Sequence, residues 1–152
     1  MRIRRKAREY ALQMLFQADV GGQAPARFEV FWSQWDASPD ARLFAEEVVR
    51  GVEQHADEID AVLQRHTQHW AVERMATVDR NVLRIAVYEL LHREDVPTRV
   101  VLNEAIDIAK KYGSEESGRF VNGVLDDVLK SDPAVSKRMS ESEPAHASHL
   151  RK

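Results

Sequence analysis

Five cations, Arg2, Arg4, Arg5, Lys6 and Arg8, fall within the first eight residues, with no acid among them. The run leads straight into YALQMLFQ, whose apolar residues recur at helical intervals. Cations on a helix hold fixed positions on a surface, as cations in a tail do not. Such a group suits phosphates, and hence a nucleic acid. The whole chain carries a net charge of −3, so any such affinity belongs to a local patch. Cations at a helix N-terminus also oppose the helix dipole, at about 0.3–1 kcal/mol each. The sequence shows no structural return for that cost, and a phosphate ligand would offset it.

A helical wheel at about 100° per residue places Ala7, Ala11, Met14 and Ala18 on one core-facing stripe, flanked by Tyr10 and Leu15. Leu12 and Phe16 fall on the outer side with Arg5, and Arg2 is close by. An outward aromatic beside cations suits base stacking or a protein contact. Packing of Phe16 on the aromatic segment from Phe28 to Trp35 is the alternative.

Other chemistry is thinly represented. His66 and His69 lie three apart with Glu73 four further on, but no third ligand is clearly presented, and no metal is expected. Asp126 with Asp127, and the acids from Asp57 to Asp60, read as helix-surface acids without the form of an acid/base pair. There is no GxxxxGK[ST], no GxGxxG and no nucleophile elbow. Neither catalysis nor a cofactor is expected. The chain has no cysteine, which excludes disulfides and thiol catalysis and suits the reducing cytoplasm. No apolar run approaches the roughly 18–20 residues that span a bilayer, so no membrane role is expected.

The elements that must position these residues are helical throughout. The chain has 152 residues, 43% hydrophobic and 31% charged, as in an ordinary globular domain. A first helix from Ile3 to Val20 should stop at Gly21-Gly22. An aromatic helix follows from Ala26 to Trp35. Ser38-Pro39 reads as an N-cap with Pro at the first helical position, opening a long stretch to His69 with a kink or break at Gly51. Thr77-Val78-Asp79 introduces the most apolar helix, VLRIAVYELL, closed by Asp95-Val96-Pro97. Thr98 should cap the next helix, which stops at Gly113, and Ser114 the last. Ser131-Asp132-Pro133 closes the fold. The expectation is an all-α bundle of six or seven helices over residues 1–132, followed by a disordered polar tail over 133–152.

The second half, VDRNVLRIAVYELLHREDVPTRVVLNEAIDIAKKYGSEESGRFVNGVLDDVL, resembles the NusB family of bacterial transcription antitermination factors, as does the opening RRKAREYALQMLFQ. The block NEAIDIAKKYG followed by FVNGVLD is the specific part. The resemblance implies two three-helix halves packed across each other. It also implies pairing with NusE, a small-subunit ribosomal protein, and binding of the pair to single-stranded boxA RNA. RNA polymerase is then helped, indirectly, to read through terminators in ribosomal RNA operons.

Carried over by position, Arg4, Arg5, Lys6 and Arg8 match the RNA-facing basic segment, which Arg2 extends. Phe120 and Asn122 match the FVNG signature, with Arg119 beside them and Lys110 and Lys111 closing the preceding helix. Glu116 matches an acidic position whose charge should tune RNA affinity. Phe16 matches the partner-facing aromatic, with Leu12 beside it, and Asp79, Arg84 and Glu89 match polar positions near that partner. Gly118 stands where relatives often carry a larger polar residue, which puts a contact there in doubt.

Read without the family, Asn103 suggests a buried hydrogen bond to a neighbouring helix. Asn122 suits burial or RNA equally. Gly123 suggests close helix packing, Phe120 the core, and Lys110 and Lys111 a solvated last turn. Arg84 and Glu89 either pair internally or mark an exposed window. Two further functions fit: a relative of the accessory domain of rRNA cytosine methyltransferases, and a helical module forming a homodimer that buries Phe16 and the basic segment.

Overall fold

The computed structural model describes residues 2–21, 28–67 and 71–140, with the Arg2 side chain excepted. The helices are α1 (Arg2–Gly21), α2 (Phe28–Gln34), α3 (Pro39–Gln54), α4 (Ala56–Arg65), α5 (Thr77–His92), α6 (Thr98–Tyr112) and α7 (Glu115–Ser131), with a 3₁₀ turn at Val72–Arg74. A further helix, α8, occupies residues 133–140. Among the described residues there is no strand, and no helix is long and apolar enough to cross a membrane. The expected stop at Gly22, the start at Ala26, His69 and the tail from 141 lie outside the described residues.

Helix α1 packs on α3 and α5, while α5, α6 and α7 pack on one another and α4 lies across α5. The most apolar helix is therefore shared by both groups. Of α5, only Arg84 among the residues from Arg80 to Leu91 is not buried. Gly51 does not break the helix: α3 runs through it to Gln54, with His55 as its C-cap, and the Tyr88 ring of α5 fills the space where a Cβ would stand. Gly51 permits a helix contact; the break comes four residues later.

The caps divide. Ser38 Oγ accepts from the Ala41 amide at 3.2 Å and Ser114 Oγ from the Ser117 amide at 3.1 Å, as expected. Thr98 is instead the first residue of α6, and Pro97 holds the cap position without a side-chain bond. Asp132-Pro133 is a start signal of the same kind as Ser38-Pro39. Asp132 Oδ2 accepts from the Ala134 and Val135 amides at 3.0 and 3.2 Å, and Val135 is wholly buried in the core. The expected disordered tail thus begins with a helix. Arg65 donates to Asp132 at 2.8 and 3.1 Å, and His66 Nε2 lies 2.9 Å from its Oδ1. His66 Nδ1 lies 2.6 Å from Asp127, so both ring nitrogens face carboxylates of this chain, which leaves His66 a poor metal ligand.

Candidate nucleic-acid and partner interface

The opening cations are tied down by acids distant in sequence. Arg4 donates to Asp95 at 3.2 Å. Arg5 makes a two-pronged contact with Glu104, both arms 2.7 Å, and reaches Asp107 at 3.0 Å. Arg8 Nε bonds both carboxylate oxygens of Glu89 at 3.1 and 3.0 Å, and its Nη1 approaches Glu104 at 3.4 Å. Arg8 and Glu89 are both buried, 3% and 1% exposed. Arg4, Arg8 and Arg93 also converge on the Phe44 ring, at 4.7, 5.2 and 4.9 Å from its centroid. The cations that oppose the α1 dipole therefore have a structural return: they bind α1 to α5, α6 and the loop between them.

The pairing shows in proton affinities. Hydrogen bonding to Glu104 raises the Arg5 guanidinium above its ordinary value. Burial pushes Glu104 upward, but Arg5 and Arg8 hold it below the usual carboxylate range. At Glu89 burial prevails over the pull of Arg8 and raises it. Hydrogen bonding from Arg93, reinforced by Arg4, lowers Asp95 to about 2.

This corrects the expected roles of Arg8 and Glu89. Arg8 cannot meet phosphate without breaking a buried pair, and Glu89 is not part of a partner-facing window. Arg84 likewise pairs internally, bonding Asp60 twice at 2.9 Å and lying 3.7 Å from Asp19. Leu12 is only 2% exposed, so it is not an outward residue. The wheel assumed one buried face, whereas α1 is enclosed by α3 on one side and α5 on another.

Three of the other expected RNA-facing cations, Lys6, Lys110 and Arg119, stay open. Lys6 is exposed, 5.5 Å from the Tyr10 ring centroid. Arg119 and Lys110 are exposed. Gly118 is buried beneath Lys110, whose Cγ lies 2.6 Å from a notional Cβ; the glycine admits the lysine stem where α6 and α7 cross. Lys111, also exposed, donates to Glu9 at 3.2 and 3.1 Å and links α6 to α1. Asn122 and Gly123 are exposed, and nothing lies within 4 Å of a Cβ at Gly123, so close packing does not explain that glycine. Asn103 is exposed as well, contrary to the expected burial.

Two grooves bring several of the expected site residues together. Phe120 packs on the core edge and, with Arg74, Asp79, Ser114, Glu116 and Ser117, lines a groove of about 370 Å³. The structure thus joins Asp79, expected near the partner, to residues expected near RNA. Asp79 Oδ1 is buried there with no hydrogen-bond partner. The second groove, about 430 Å³, is lined by Leu12, Gln13, Phe16, Gln17, Trp35, Val78 and Tyr112. Phe16 is 38% and Trp35 40% exposed. The aromatic helix does not cover Phe16; its rings gather on Tyr10, with Trp32 at 5.3 Å and Phe31 at 6.0 Å. Trp35, Val78 and Tyr112 were not singled out from the sequence. Only the helical spacing of Trp35 hinted at it, because three elements must meet before the groove exists.

Comparison with known proteins agrees with this architecture. The model of the NusB family matches residues 5–130. A transcription antitermination protein NusB of Sorangium cellulosum is 47% identical over 132 residues, 86% of this chain and 94% of its own length. One from Desulfitobacterium hafniense is 49% identical over 131 residues, 84% and 88% of the two chains. Among solved structures, Thermotoga maritima NusB (T. maritima) superposes with a TM-score of 0.78 at 36% identity, covering 90% of this chain and 96% of that one. A structure of antitermination factors NusB and NusE in complex with dsRNA gives 0.75 at 33% identity, covering 86% and 98%. Since the match runs from α1 to the end of α7, the chain belongs to the NusB family.

Proposed function

We propose that this protein is a non-enzymatic, cytoplasmic RNA-binding antitermination factor that pairs with NusE. The pair would take the single-stranded boxA element of ribosomal RNA operon transcripts and so favour processive elongation by RNA polymerase. The observation that carries the reading is the surface left open on α1. Lys6 is available near its start, and Phe16 and Trp35 form an uncovered apolar groove at its far end. NusE takes that groove, through Phe16, Trp35, Val78 and Tyr112. RNA is met by Lys6, Lys110, Lys111, Arg119, Phe120 and Asn122, and by the outer edges of Arg4 and Arg5; Glu116 limits non-specific affinity by repelling phosphate. Phosphate contacts position the RNA and the composite surface reads its bases.

Fluorescence anisotropy with labelled boxA RNA, single-stranded and duplex, with and without NusE, tests this. NusE should tighten binding of the single strand; an unchanged affinity would end the heterodimer reading. A homodimer burying the same groove is the alternative, and light scattering of the free protein distinguishes it. The relatives carry the antitermination name over nearly their full length, which favours this role over that of a methyltransferase accessory domain.

A further inference from the structure

Away from both grooves, the C-terminal end of α5 meets the corner between α3 and α4. His55 is the single residue between those two helices, Glu58 lies in the first turn of α4, and His92 ends α5. His92 Nε2 lies 2.8 Å from Glu58 Oε1, and His55 Nδ1 lies 3.5 Å from the same oxygen. One ligand atom from each residue falls within 4.8 Å of the others.

The arrangement is imposed by packing. The imidazoles stack with centroids 3.9 Å apart and planes 18° from parallel. One turn earlier on each helix, the Tyr88 ring occupies the space over Gly51, and Tyr88 lies 5.9 Å from the His92 ring. Two ring contacts in register, Tyr88 on Gly51 and His92 on His55, thus hold both imidazoles beside one carboxylate; stacked rings cannot both aim an in-plane lone pair at one ion, so ligation turns one partly exposed imidazole about χ2 out of the stack.

Two imidazoles and a carboxylate are a borderline N/O donor set that suits zinc and its neighbours rather than magnesium or calcium. Tetrahedral zinc with bonds of about 2.0–2.1 Å spaces its ligand atoms about 3.3 Å apart. The two spacings to Glu58, 2.8 and 3.5 Å, bracket that value. All three side chains are partly exposed, 38%, 46% and 30%, so an ion can enter and a water can complete the set.

We propose that His55, Glu58 and His92 form a site for a zinc-class divalent cation that clips the α3–α4 corner to the end of α5. Calorimetric titration of the metal-free full chain with Zn²⁺ tests it, alongside NMR of the histidine ring nitrogens. One saturable equivalent is expected, with the largest shifts at His55 Nδ1 and His92 Nε2. His92→Gln and Glu58→Gln should each weaken binding by at least about tenfold, whereas His146→Gln with His149→Gln should leave it unchanged. Circular dichroism of metal-free Glu58→Gln should match native, separating ligation from folding. Absence of saturable binding, or binding that survives both ligand substitutions, would overturn the site.

Discussion

The two ends of α1 present opposite surfaces. Its first turns are dense in cations, yet Arg5 and Arg8 are held by Glu104, Asp107 and Glu89, and Arg4 by Asp95. Its last turns carry little charge, yet they leave Phe16 beside Trp35 in an open groove. Charge density in a sequence counts residues, not free valences; the partners of Arg5 and Arg8 stand 81 to 102 positions away. Trp35 stacks on Phe31 at 6.0 Å, yet its ring and that of Phe16 still leave part of their apolar surface uncovered. This is the apolar surface that the proposed NusE contact would bury.

The largest effect that could break this contrast lies at the buried pair. Glu89→Ala should cost about 3–5 kcal/mol in urea denaturation, because it leaves the buried Arg8 charge with only the 3.4 Å contact to Glu104. A loss under about 1 kcal/mol, typical of exposed pairs, would return Arg8 to the list of available cations.

At the other end, Phe16→Ala should weaken NusE capture by about 2 kcal/mol, roughly thirtyfold. Its folding loss should stay below about 1 kcal/mol. Parallel losses of stability and capture would make Phe16 a packing residue and remove the apolar half of the comparison.

Among the open cations, Lys6→Ala and Arg119→Ala should each lower the salt slope of RNA binding by about 1. An unaltered slope for either variant would take that residue out of the RNA surface.

Acid should expose the weakest contrast. Asp95 and Asp132 sit near 2 in the folded protein against an ordinary 3.8. For Asp132, burial acts upward, and hydrogen bonds from Arg65 and His66 more than offset it. Both carboxylates hold protons less tightly when folded, so their stabilisation is complete above about 4 and fades as pH falls toward about 2. Thermal melts followed across that window should show Asp132→Asn with a shallower decline than native. An equal decline would mean that the α8 anchor does not titrate.

Much of the architecture was legible in the sequence because it depends on local signals. The helical periodicity, the Ser38 and Ser114 caps and the burial of Ala7, Ala11 and Met14 all follow from spacing and residue type. Asp132-Pro133 carried a local signal too, but a helix start and a chain stop share those residues, and the buried Val135 decided between them. Leu12 was misplaced because a wheel has one inside, and α1 has neighbours on several sides.

The sequence by itself determined which residues are cationic, which segments are helical and, through its NusB-like blocks, the family. Only the tertiary structure decided which cations remain open and where an apolar face stays uncovered. Helix formation needs neighbours a few positions apart, whereas availability depends on acids and rings brought together from opposite ends of the chain.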